Sequence, residues 1–122
     1  MSDNFVITNL NGWLNLPNIE MPSLKSEKEK GSVFHVKKVG FVLVDKNECK
    51  RKGLNAQQAP GGKCALPTAV VLFGNKYELC SLPLELSEWV QQCVGMAHSG
   101  MNAFPTQVEF GVLNNRIYAE ML

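Results

Sequence analysis

The chain has 122 residues, 45% hydrophobic and 19% charged, with 12 Lys and Arg against 11 Asp and Glu and a formal net charge of +1. That length suits a single domain with a core of its own. The composition excludes a disordered chain, and no apolar run approaches the roughly 18–20 residues that cross a bilayer.

Residues 1–31 read as an extended N-terminal arm. "NFVITNL" suits a short strand. "NGWLNLPNIEMPSL" mixes Asn, Gly and Pro punctuation with Trp13, Leu16 and Ile19, so no stable helix is expected there. Its apolar content implies packing against its own domain or a neighbour, and a homodimer through the arm is one consequence. The opening residues lack the basic start and apolar run of a secretory leader, which makes the cytoplasm the expected compartment.

Residues 32–122 read as one domain. "SVFHVKKVGFVLVD" (32–45) is rich in β-branched and aromatic residues and reads as one long strand, with Gly40 marking a bulge or bend. Residues 46–67 read as a long loop. "TAVVLFGNKYELCSL" reads as a hairpin turning at Gly74-Asn75. In its register Leu72, Tyr77, Val70 and Leu79 share the expected core face, and Phe73, Lys76, Val71 and Glu78 share the other. "SLPLELSEWVQQCVGMAHSGM" has the spacing of the one expected helix, with Leu82, Leu86, Trp89, Val90, Cys93 and Ala97 on one face. Ser81 or Ser87 is the expected cap and Gly100 the expected stop. "TQVEFGVLNNRIYAEML" reads as a second hairpin turning at Asn114-Asn115. Val108, Phe110, Val112, Ile117, Ala119 and Met121 form its apolar face, and Tyr118 covers the strand glycine Gly111.

The fold expected from this order is mostly β with one helix, a five-stranded barrel of order β-β-β-α-β-β behind the arm. Another small α+β sheet with one packed helix is the alternative. The element order resembles the OB-fold, a partly open Greek-key barrel. In size and architecture the chain is similar to the small single-stranded DNA-binding proteins of phages and plasmids, although it carries no signature motif of theirs.

Charge is segregated along the chain. Residues 25–63 hold ten of the twelve basic side chains against four acids, a surplus of six, while the remainder is short by five. The resemblance implies a nucleic-acid groove between the connections of strands one and two and of strands four and five, and the densest positive charge falls in the first of these. The expected contacts are Lys37, Lys38, Lys46, Lys50, Arg51, Lys52 and Lys63 for phosphates. Phe73 and Tyr118 are the expected stacking rings, flanked by Lys76 and Arg116. The expected partner is single-stranded DNA or RNA. The alternative is a host protein, with the chain acting as a small module or inhibitor from a mobile element.

No catalytic role is expected, because no nucleophile elbow, Walker loop, zinc-protease motif or dinucleotide fingerprint occurs. No cofactor or metal is expected either. The four cysteines, Cys49, Cys64, Cys80 and Cys93, form no C-x-x-C pair. They read as buried free thiols of a reducing compartment, though Cys49 and Cys64 flank a Gly/Pro-containing loop that could bring them together.

Overall fold

The computed structural model describes residues 9–26 and 28–122. The strand expected at residues 4–10 lies outside them except at its end, where Asn9 and Leu10 begin a helix instead. That helix, α1 (Leu10–Leu14), is capped by the Asn9 side chain, which accepts the Gly12 N–H at 2.8 Å. Five residues cannot hold a helix on their own. Burial of Leu10 and Trp13 against the sheet supplies the missing stabilisation, a tertiary term invisible in the local sequence.

The described chain is mostly β, with a small helical share and one open mixed sheet. After α1 come β1 (Ser23–Leu24), β2 (Ser32–Asp45), α2 (Lys46–Arg51), β3 (Gln57–Ala59), β4 (Lys63–Phe73), β5 (Lys76–Ser81), a 3₁₀ turn (Leu84–Leu86), α3 (Ser87–His98), β6 (Thr106–Leu113) and β7 (Arg116–Met121). The expected loop at 46–67 is therefore replaced by a helix, a short strand and the first five residues of β4. Residues 32–36 of β2 pair with β6 and residues 36–45 with β4, all antiparallel. β5 and β7 flank β4 and β6, and β3 and β1 extend the remaining edges. Among the described residues no ladder joins β5 to β7. The 3₁₀ turn packs against β7 there.

Pro67 interrupts the apolar pattern of β4 in the sequence yet sits inside the strand. It lies where β4 changes partner from β3, which ends its pairing at Ala65, to β5, which begins at Thr68. The missing N–H falls at this junction, so the ladder loses little. The Pro67 carbonyl stays occupied, accepting the Leu82 N–H at 3.1 Å and the Trp13 indole N–H at 3.0 Å.

The irregularity in β2 falls between Val36 and Lys38, not at Gly40. Val36 opposes Val71 and Lys38 opposes Val70, so Lys37 is one extra residue. A bulge of this kind needs no glycine. Gly40 continues the ladder opposite Thr68, whose hydroxyl donates to the Gly40 carbonyl at 3.0 Å.

Both hairpins turn where expected. Gly74 has φ +60°, and Asn114 and Asn115 have φ +54° and +63°, the left-handed backbone that primed turns require. On the expected core face of the first hairpin Val70 and Leu79 are buried, but the main core gathers on the other face. Val71, Ala69 and Cys80 lie in the main core and Phe73 packs against it, whereas Tyr77 is 40% exposed on the opposite face. Both faces of β4 are apolar, so alternation could not decide between them. The second hairpin keeps its expected face: Val108 and Phe110 are buried, and Ile117, Ala119 and Met121 pack against them.

The expected helix at 81–101 is shorter. Ser81 ends β5, and residues 84–86 form the 3₁₀ turn. α3 then starts after Leu86 without a side-chain cap, so neither serine caps it. Gly100, with φ +86°, follows the helix end. Val90 and Cys93 are its buried contacts, and Trp89 meets Phe110 edge-on.

Two hydrophobic clusters lie on opposite faces of β4. The larger, on the inner face, joins Val36, Ala69, Val71, Val90, Val108 and Phe110. The smaller, on the outer face, joins Val42, Val44, Cys64 and Leu66 under Leu10 and Trp13 of α1 and Cys49 of α2. Ile19 belongs to the inner core, and the Ser81 N–H and hydroxyl bond Pro17 and Asn18 at 3.1 and 2.6 Å. The apolar arm thus straps its own domain, and Trp13 and Ile19 are occupied within it.

Candidate nucleic-acid interface

Strand parity assigns the expected contacts on the strands to a face. Val36 points inward, so His35 points outward. The extra residue at Lys37 then lets both Lys37 and Lys38 stand on the outer face before Val39 returns to the core. Bulges commonly re-aim side chains in this way. Lys37 places its Nζ 5.1 Å from the centroid of the Tyr77 ring, a cation–π arrangement. The His35 ring lies 6.1 Å from the same ring. Leu72, paired with Tyr77, completes an outward platform. Tyr77, expected in the core, stands instead near the hairpin tip, beyond the buried Val70 and Leu79 of the same face.

The other expected rings are engaged in packing of their own. Phe73 packs against the inner core with its ring 5.8 Å from Phe34, edge to face. Tyr118 lies over Gly111, where an added Cβ would meet its ring at 2.8 Å. Its hydroxyl donates to Glu109 Oε2 at 2.5 Å, and the Gly31 N–H donates to the same oxygen at 3.2 Å. These two bonds hold the Glu109 carboxyl below its ordinary range. Burial first, and then the bond to Glu109, push the Tyr118 hydroxyl up to about 12. Its hydroxyl bond and its seat over Gly111 hold the ring against β6.

The basic segment 46–51 is helical, with Lys52 at its C-cap. Asp45 caps α2 by accepting the Asn47 N–H at 2.8 Å. Cys49 is buried and joined to Cys64 by a disulfide. The pair is therefore bonded and not a pair of free thiols. Such bonds persist most readily in oxidising compartments. The cross-link anchors α2 on the outer face of β4, leaving Lys50, Arg51 and Lys52 exposed. Lys63, also exposed, opposes Asp45 at the same end. A cleft of about 420 Å³ separates α1 from α2, lined by Leu10, Asn11, Glu48, Arg51 and Lys52. Within it Glu48 accepts the Leu10 N–H at 3.4 Å and lies 4.0 Å from Arg51.

The expected site is thus divided. Lys37 and Lys38 adjoin Tyr77. Lys46, Lys50, Arg51, Lys52 and Lys63 gather at the far end of the β2–β4 ladder. Lys76 is exposed beside the first turn, next to Phe73 on the inner-face register. Arg116 stands at the β6–β7 turn, beyond the start of β2 and remote from α2.

The remaining thiols are poor nucleophiles. Burial, with Glu78 second, pushes Cys80 up to about 11, and burial raises Cys93. Among the described residues no three His, Cys, Asp or Glu side chains group as metal ligands, and no helix is long and apolar enough to cross a membrane. The chain matches no protein-family model, no curated protein and no solved structure.

Proposed function

We propose that this chain is a non-catalytic single-stranded nucleic-acid-binding protein with an OB-like arrangement. In this reading β2, β4, β5, β6 and β7 are the five strands, α3 is the helix between the third and fourth, and α2 lies in the connection of the first two. Supporting it are the sharing of β2 between the β4 and β6 halves and the position of α3 between the two hairpins.

The observation that carries the functional part is the bulge at Lys37. It brings two consecutive lysines to the same face as the exposed Tyr77 ring, and α2 adds further cations on that face. Single-strand binding needs this combination, since cations track phosphates and a flat ring stacks on any base. The alternation of cation and ring also explains why the binding would tolerate sequence: every base has a π-face, and phosphates are all alike.

Titrating a fluorescein-labelled oligothymidylate at about 50 and 200 mM salt tests the proposal. Binding should weaken steeply with salt, with a logarithmic slope of about −0.7 per phosphate contact. A matched blunt duplex should bind more weakly, because its bases are not available to Tyr77. Salt-independent binding, or none at low salt, would reject the reading.

A further inference from the structure

We infer that the bound strand runs lengthwise along the β2–β4 ladder, from Tyr77 to α2, and not across the sheet toward β6 and β7. This inference rests on the nucleic-acid reading above and adds a direction and two subsites to it.

The outer face offers two routes away from Tyr77. The transverse route crosses β2 onto β6 and β7, where Glu109 and Glu120 face each other outward. Glu29 joins them in a cleft of about 240 Å³ beside Tyr118. Glu109 is held ionised by its two hydrogen bonds. A phosphate moving that way meets carboxylates, and like charges at close range oppose it.

The lengthwise route meets no such barrier. The strap at residues 9–19, which lies over the outer face of β4 through Leu10 and Trp13, contains no Asp or Glu. Beyond it stand Arg51 and Lys52 at the cleft between α1 and α2, with Lys50 exposed on the same helix. The one carboxylate in that cleft, Glu48, is already engaged by the Leu10 N–H and Arg51. The distal subsite therefore keeps a positive surplus.

Length separates the two subsites. From Leu72, paired with Tyr77, to Lys63 the path along β4 is on the order of 30 Å at about 3.3 Å per residue. A single strand advances about 3.4 Å per nucleotide when stacked and roughly twice that when extended. About five to nine nucleotides are needed to span from ring to helix. Shorter oligonucleotides can occupy the Tyr77 subsite alone.

The test is a length series of labelled oligothymidylates, about 4, 8, 12 and 20 nucleotides, against four folded proteins. These are the wild type, Tyr77→Ala, the triple variant Lys50→Ala/Arg51→Ala/Lys52→Ala, and Arg116→Ala. The substituted side chains are all exposed, and circular dichroism checks that each protein is folded. Tyr77→Ala should weaken binding at every length. The triple variant should bind the 4-mer within twofold of wild type, yet bind the 12-mer at least tenfold more weakly, with the salt slope reduced by about 2. Arg116→Ala should change neither. A triple variant that weakens the 4-mer and the 12-mer equally, or an Arg116→Ala variant that weakens the 12-mer tenfold, would overturn the lengthwise path while leaving nucleic-acid binding intact. Absence of binding by the wild type at every length would overturn both.

Discussion

Replacing Tyr77 by Ala separates a binding role from a folding role more sharply than any other single change. The ring is 40% exposed on an edge strand and contributes to no buried cluster. Its loss removes an exposed cation–π contact with Lys37, worth about 0.5–1 kcal/mol, and some strand preference, worth at most about 1 kcal/mol. The protein should therefore remain folded. Affinity should respond more strongly. One base stacked on an aromatic side chain contributes about 1–3 kcal/mol, which is about a five- to 150-fold change in Kd. Fluorescence anisotropy with a labelled 12-nucleotide oligothymidylate reads the change directly. Tyr77→Phe keeps the flat ring and should bind within about threefold of wild type, since the hydroxyl is not needed for stacking. Tyr77→Leu keeps apolar bulk without the ring and should resemble Ala. The comparison residue is Phe73, whose half-buried ring packs on Phe34 and the inner core. Phe73→Ala should lower stability by about 3 kcal/mol or more and should spare affinity where the protein remains folded. A folded Tyr77→Ala protein that binds within twofold of wild type would refute the assignment of the outer face as the stacking surface.

Three further outcomes follow from the same geometry. Glu48→Gln keeps the acceptor for the Leu10 N–H and removes the carboxylate charge from the cleft, so binding of 12-mers should tighten by about two- to fivefold, the scale of one exposed charge pair, in the same anisotropy assay. Reduction of the Cys49–Cys64 bond, or Cys49→Ser/Cys64→Ser, should lower stability by about 3 kcal/mol, the chain-entropy value for a 15-residue loop. This can be read by urea denaturation with and without a dithiol reductant. Tyr118 should titrate late: its raised folded value favours the neutral hydroxyl, so its contribution to stability is complete below about 10, the unfolded value, and is lost as pH rises toward about 12. Absorbance near the phenolate band should show this late phase, and Tyr118→Phe should abolish it.

What the sequence made legible was mostly local. The two turns were readable because Gly74 and the Asn114-Asn115 pair supply the left-handed backbone that tight hairpins demand. The apolar face of the second hairpin was readable because its opposite face carries Glu109, Arg116 and Glu120, so the alternation had a polar side. The first hairpin had no such side. Both faces of β4 are apolar because each is covered, one by α3 and the inner core and the other by α1 and α2. α1 and α2 were missed for a related reason: each is too short to be stable without the cluster it covers. Nothing local announces that Leu10 and Trp13 will meet Val42 and Leu66. The lysines were legible as a group, but their division into two subsites depends on which strand each residue pairs with.

The bulge at Lys37 ties these failures to the proposed function. Val36, Val42 and Val44 are all even-numbered, so an unbroken strand would point them to one face. Val36 belongs to the inner core and Val42 and Val44 to the outer cluster. A single extra residue reconciles them by switching the parity of β2 partway along. The switch is required for both clusters to form from one strand. Its consequence is that a second lysine appears on the outer face next to the first, beside Tyr77. A structural demand of the two-core sheet thus creates the local pairing of cations with a ring. The same device that hides the valine pattern from a reader of the sequence builds the surface on which a single strand would begin to bind.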